Sequence, residues 1–426
     1  MAMSRPLLLV IAALAAGAPA RAQELAPGDV AALLATAGVR EALRSAQAEE
    51  AGTIEEQIAL CEIPAPPFAE AERAAAFAER MRAAGLSHVR IDGEGNAMGE
   101  RAGAHPRPAV VLAAHLDTVF PAGTDVRVTR DGAILRGPGI SDDCRGLAIL
   151  LAIARALDAA GVTTRGTLVF VGTVGEEGRG NLRGARHLAR EELAGRIDAF
   201  VGIDGAGSDL TKDAVGSHRY RVAFRGEGGH SYGDFGMPNP IHALGRAIAR
   251  IAEIEVPETP KTTFSVGVIE GGISVNAIPE EAAFLVDLRS LDPGALADLD
   301  TRVRAAIDEA LAEENSAARE GNPLEAAVEE IGVRPAGRQP DDAPIVRAGL
   351  AAAKALGLEP RLESSSTDAN ALIAEGIPAI VLDGGGRSEG AHTTDEWFDT
   401  TNSHLGTQWA LLTALSLAGV SGPSAD

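Results

Sequence analysis

Residues 108–117 read PAVVLAAHLD: six apolar positions in a row, then His115 and, two positions on, Asp117. An unbroken Val/Leu/Ala run is the signature of a strand buried on both faces, and such strands belong to parallel sheets. Three more runs share this design. TLVFVGTVGEEG (167–178) leads to Glu176 and Glu177, DAFVGIDG (198–205) to Asp204, and PAIVLDGGGRSEGAH (378–392) to His392. In open α/β sheets, ligands bind beyond the carboxyl ends of the strands. The four runs therefore aim these side chains at one edge of one sheet. A fifth element, GPGISDDCRG (137–146), adds the carboxylates of Asp142 and Asp143.

Between these runs lie helical stretches. DVAALLATAGVREALRSAQAEEAGTIEEQIALCEI (29–63) and EAERAAAFAERMRAAG (70–85) are amphipathic, the latter closed by Gly85 as a left-handed cap. GLAILLAIARALDAAG (146–161) is strongly apolar and closed by Gly161. HVRIDGEGNAMGE (88–100) reads as a strand. After about residue 216 the pattern changes to half-buried alternation, as in YRVAFRGEG. The order there is strand, helix, strand, strand, helix, strand, the ferredoxin-like arrangement. The expected fold is α/β: a mixed, mostly parallel sheet flanked by helices, with a smaller α+β domain inserted. The boundaries are 1–22 for a signal peptide, 23–215 and 333–426 for the larger domain, and 216–332 for the insert. A chain of 426 residues suits two such domains.

The formal net charge of −22 argues against nucleic acid, whose phosphates it would repel, and is compatible with peptides or amino-acid-like substrates. MAMSRP, the short apolar LLLVIAALAAGA and Ala20-Arg21-Ala22 read as a cleavable secretory signal, which implies a periplasmic or secreted protein. The competing reading is an uncleaved N-terminal anchor, although the apolar core is too short to span a bilayer. The two cysteines, Cys61 and Cys144, either form a disulfide permitted by export or stay reduced and partly buried.

Two histidines and several carboxylates, with no thiolate cluster, suit Zn²⁺, with Mn²⁺ or Co²⁺ as substitutes. The carboxylates outnumber what one zinc needs. Two metals sharing a bridging carboxylate about 3.5–4 Å apart is the natural arrangement, with one His and one terminal carboxylate each and a bound hydroxide between them. Glu176 and Glu177 are adjacent at a strand end, so one can ligate while the other stays free to take the proton of a water and return it to a leaving amine. Asp117 shares a strand face with His115 and is expected to orient the imidazole with its carboxylate. The acidic pair Asp142 and Asp143 supplies the candidates for the bridging carboxylate.

AAHLDTV, GPGISDDCRGLA, VGEEG, IDG and GAHTTDEWF, in that order and spacing, resemble the dinuclear zinc exopeptidase family of aminoacylases, peptidase T, carnosinases and carboxypeptidase G (clan MH), across about residues 50–420. The resemblance implies metal ligands at His115, Asp142, Glu177, Asp204 and His392, with Glu176 as general base. Aspartate rather than glutamate at 204 is similar to the peptidase T-like branch. Cys144 departs from the family's usual lysine after the acidic pair, which puts local substrate contacts in doubt. The insert resembles the family's lid and dimerisation domain. By this likeness His230 in GEGGHSYG stabilises the oxyanion, in dimeric relatives across the subunit boundary. Asn276, Arg289 and the loops carrying SSSTDAN and Gly385-Gly386 contact substrate, although a plain turn explains the glycines equally. Glu396 resembles a carboxylate near the metals, and the other histidines lie off the motifs. The implied activity is hydrolysis of short peptides from the free amino end, against the alternatives of N-acyl-amino-acid deacylase or carboxypeptidase action and of a non-catalytic binding protein on the same scaffold.

Overall fold

The computed structural model describes residues 25–421; the expected signal peptide lies outside them. Its centre is an eight-stranded sheet in the order Ser87–Ile91, Ala97–Arg101, Thr167–Thr173, Ala109–His115, Ala199–Ile203, Ala379–Leu382, Leu210–Ala214 and Leu362–Ser365. The four middle strands of that order that carry the apolar runs are mutually parallel, with His115 opposite Thr173 and Leu382 opposite Ile203. Their carboxyl ends thus fall on one edge.

The runs are apolar on every position because both faces are covered. Val110, Leu112, Ala114, Leu168, Phe170, Val201 and Ile380 join one core with the helices Ala37–Ala48, Cys144–Ala159, Pro344–Ala355 and His404–Ala418. Val111, Ala113, Val169, Val171, Phe200 and Val381 join a second core on the other face with Leu182, Leu188 and Leu372. Successive residues of one strand feed opposite layers, as the two-residue repeat of a strand requires. The fully buried Trp409 secures one layer, its indole N–H donating to the carbonyl of Gly349 at 2.8 Å.

The insert is a four-stranded antiparallel sheet in the order Thr262–Gly271, Glu281–Ser290, Gly216–Arg225 and Glu325–Arg334, so it extends to Arg334, two residues past the expected boundary at 332, because Val333 and Arg334 still pair with His218 and Ser217. The helices Pro240–Ala252 and Pro293–Ala317 pack against it through Leu244, Ile251, Leu299 and Val303. Asn239 and Asp292 cap these helices, each followed by a proline at the first helical turn. The chain enters and leaves the insert side by side: Ala214 and Gly337 exchange both backbone hydrogen bonds, at 2.8 and 3.0 Å.

Two segments differ from the sequence reading. Residues 88–100 form a hairpin, not one strand, because Asp92 accepts from the amides of Glu94, Gly95 and Asn96 at 2.9 Å each and turns the chain. The long N-terminal helical stretch is three helices, Val30–Ala35, Ala37–Ala48 and Glu50–Cys61, interrupted where Thr36 is extended and Glu49 leaves helical geometry.

Candidate metal centre

The strand carrying His115 ends at that residue. The imidazole Nδ1 lies 2.9 Å from the main-chain carbonyl of Asp117, which only accepts, so Nδ1 carries a proton and Nε2 faces the edge of the sheet. Nε2 is 2.9 Å from Asp142 Oδ1 and 3.9 Å from Asp204 Oδ1. On the other side of Asp142, His392 Nε2 is 3.1 Å from its Oδ2 and 3.0 Å from Glu177 Oε1. One carboxylate thus stands between two imidazoles, each with a further carboxylate beside it. Asp143 is turned away: it caps the helix Cys144–Ala159, accepting from Gly146 N, and its other oxygen accepts from His115 N, both at 3.0 Å. Gly146 allows this closeness, since a Cβ there would sit 2.4 Å from Asp143 Oδ1.

Asp117 acts differently from the expectation. Its carboxylate is 3.7 Å from His115 Nδ1 and instead accepts the amides of Glu176 and Glu177, at 3.0 and 2.8 Å. The imidazole is oriented by the Asp117 main chain. The period-two argument fails because the chain has already left the strand. Glu396, wholly buried, fixes the loop before Asp142: it accepts from Gly139 N (2.8 Å), Ser141 N (2.8 Å), Ser141 Oγ (2.6 Å) and Asp142 N (3.2 Å).

Glu176 is buried next to this cluster, and the insert reaches it. Arg334 Nη1 donates to Glu176 Oε1 at 3.0 Å, and Nη2 donates to the Glu176 carbonyl. Sequence reasoning passed over Arg334, and nothing in IGVRP marks it beyond its place at a strand end. It also passed over the role of Asp368 within SSSTDAN. This carboxylate is buried, accepts from Thr173 Oγ1 and is pushed up to about 7, by burial first and by Glu176 second.

Burial and crowding shape the charge. Asp204 is held well above the usual carboxylate range by burial and then by Asp142. Glu177 is raised to about 7 by burial and then by Asp142. Burial also raises Glu176, against the pull of Arg334. Burial works upward on Asp142 too, but the flanking imidazoles outweigh it and draw it well below its ordinary value. His392, 57% exposed, is pushed up to about 9, chiefly by its hydrogen bond to Asp142. Carboxylates driven toward protonation by burial and then by mutual repulsion are a setting that added positive charge stabilises. The donors suit a divalent cation: the trios His115/Asp142/Asp204, Asp142/Glu177/His392 and His115/Glu176/Glu177 each bring ligand atoms within 4.8 Å of one another, without a thiolate.

The remaining predicted residues sit apart from this cluster. His230 and Asn276 are exposed on the insert, where Ser231 N donates to the Asn276 carbonyl at 3.0 Å and His230 Nδ1 accepts from Tyr232 N and Gly233 N at 3.2 Å. Arg289 pairs with Asp287 of its own strand at 2.7 Å. Among the described residues, none of the three makes a hydrogen bond or ion pair to the cluster. Gly385 and Gly386 take φ of +74° and +65°, and a Cβ on either would meet main-chain atoms at 2.5 and 2.6 Å, so local packing already requires them. Cys61 and Cys144 are both free and buried in one small apolar cluster, and the Cys61 thiol donates to the Pro138 carbonyl at 3.4 Å.

The sequence matches the description Peptidase family M20/M25/M40 over residues 111–416. It is 29% identical over 355 residues to a putative succinyl-diaminopimelate desuccinylase DapE of Mycobacterium tuberculosis, covering 80% of this chain and 92% of that one. Among solved structures, a tripeptidase from Staphylococcus aureus superposes with a TM-score of 0.72 at 22% identity, covering 87% and 98% of the two chains. YXEP of Bacillus subtilis, described as a dinuclear metal binding peptidase from the M20 family, gives 0.63 at 19% identity, covering 87% and 99%. A family match of that span, on a chain whose parallel strands deliver these donors, makes this protein a member of peptidase family M20/M25/M40, a metal-dependent hydrolase of amide bonds.

Proposed function

We propose that this chain is an exported, two-cation exopeptidase that removes residues from the free amino end of short peptides. The observation that carries the reading is Asp142 between His115 and His392, with Asp204 beside the first imidazole and Glu177 beside the second. Those five residues would hold the pair, with zinc favoured by the donor types and Mn²⁺ or Co²⁺ as substitutes. When bound, the cations supply Lewis acidity, polarising a carbonyl and lowering the pKa of water.

The protein's own groups do the rest. Glu176 is the general base. Arg334 occupies its Oε1, which leaves Oε2 to take a proton from the attacking water and return it to the leaving amine. Burial raises its proton affinity, which suits a group that must hold a proton between two steps. Asp117 fixes the backbone on which Glu176 and Glu177 stand. The N-terminal apolar stretch supports export. Among the described residues no helix is long and apolar enough to cross a membrane.

His230, Asn276 and Arg289 contact substrate in this reading, with Gly385 and Gly386 at the rim, and His230 serves the site of a second copy. The support is the insert's surface. Tyr232, Phe235, Ile269, Ile273 and Val275 are exposed around His230 and Asn276, and Thr262–Gly271 is an edge strand with one unpaired side. Sedimentation at micromolar concentration is expected to show two chains; a single chain would remove the role of His230 in trans.

A second reading, hydrolysis of N-acyl amino acids, has specific support in the likeness to the putative desuccinylase. The same machinery would serve both. A panel of dipeptides, tripeptides and N-acetyl or N-succinyl amino acids decides between them. The exopeptidase reading expects kcat/KM to be highest for peptides with a free amino end. Preference for the acylated compounds would overturn it.

A further inference from the structure

The contact between insert and base carries an inference that rests on the reading of Glu176 as general base. Arg334 is the last residue of the strand Glu325–Arg334 and is only 5% exposed. Besides gripping Glu176 at Oε1 and at its carbonyl, its Nη1 donates to the carbonyl and hydroxyl oxygens of Ser366, both at 3.2 Å. Its Nε is buried without a partner. The guanidinium thus has no face turned to solvent, and both terminal nitrogens are committed to the protein. The segment it belongs to is fastened to the same stretch of the larger domain. Val333 N donates to Asn181 Oδ1 at 3.0 Å, and the Arg186 guanidinium donates to the Val333 carbonyl. Behind it, the Asn370 amide donates to both connections to the insert, to Val215 O at 2.8 Å and Pro335 O at 3.0 Å.

We propose that Arg334 is a positioning residue that locks Glu176 so that Oε2 faces the reacting centre. A glutamate side chain has three rotatable bonds, and burial alone does not choose among its rotamers. A charge-assisted hydrogen bond to Oε1, backed by a second to the same residue's carbonyl, does so. Because the Val333–Arg334 segment is itself fastened to Asn181, Arg186 and Ser366, the donor is held in one place relative to the carboxylate.

The test uses the full-length, metal-loaded enzyme and four variants: Arg334→Lys, Arg334→Ala, Glu176→Gln and the double variant Arg334→Lys/Glu176→Gln. Misplacement of a catalytic group by about 1 Å costs on the order of 10²-fold. Both single Arg334 variants are expected to lose about that much in kcat, with KM and metal content unchanged. Guanidinium ion added to Arg334→Ala restores part of the loss, and the double variant is no slower than Glu176→Gln alone. A raised KM at unchanged kcat would instead make Arg334 a substrate contact and overturn the proposal. So would wild-type kcat in Arg334→Lys, including the case where Arg334→Ala fails to fold. Turnover surviving in Glu176→Gln would sink the base reading itself, whereas a dead Glu176→Gln beside fully active Arg334 variants sinks only this inference.

Discussion

Glu176→Gln is expected to lower kcat by roughly 10²–10⁴-fold, the range over which a positioned proton-transfer group contributes, and to leave metal content unchanged. The amide keeps the shape of the side chain and can still accept from Arg334 through its oxygen, so the packing around Glu176 survives. It cannot take a proton from water. Glu177, one residue on, stands beside His392 with its Oε1 3.0 Å from Nε2, and in the proposed reading serves as a cation ligand rather than a proton carrier. Steady-state kinetics on a dipeptide, with metal counted by elemental analysis, checks both halves. Turnover within a factor of ten of wild type would remove Glu176 from the base role.

Asp142→Ala carries the other large effect. This carboxylate is within 3.1 Å of both imidazoles, one oxygen toward each, so a single truncation strikes both halves of the centre. It also removes the one group that stands between the histidines. The expected result is loss of both cations and a fall in kcat/KM of at least roughly 10³-fold, since Lewis-acid stabilisation of several kcal/mol is forfeited and each 1.4 kcal/mol is a factor of ten. Asp143→Ala should behave otherwise. It removes a helix cap, costing about 1 kcal/mol of stability, and orphans the buried His115 amide, costing about 1–3 kcal/mol more, but leaves both Asp142 oxygens in place. Metal analysis and thermal denaturation separate the two, and equal metal loss in both variants would mean that Asp142 has no special place.

The parts of this molecule readable from sequence are those set by short-range pattern. The runs ending at His115, Glu176, Asp204 and His392 announce themselves because a strand covered on both faces has no polar residue to interrupt it. The edge on which they converge follows from their being parallel. The alternation after residue 216 announces the insert for the complementary reason. The division of labour between Asp142 and Asp143 is not contained in such patterns, because it depends on which residue the following helix takes as its cap. Asp117 was misread for a similar reason: the spacing rule holds only inside a strand, and the strand stops at His115. Arg334 was out of reach altogether. Its partner lies 158 positions earlier in another domain, and no local periodicity encodes a contact of that separation.

The paired crossings at Ala214 and Gly337 have a consequence for how such a chain can change over evolutionary time. Because the two connections run alongside each other and hydrogen-bond to one another, everything between them is a cassette. It can be lengthened, trimmed or exchanged without shifting the register of a single strand in the sheet that bears the metal ligands. The cassette can thus be replaced while the sheet beneath it is inherited intact, with Arg334 as the point where any replacement must still fit.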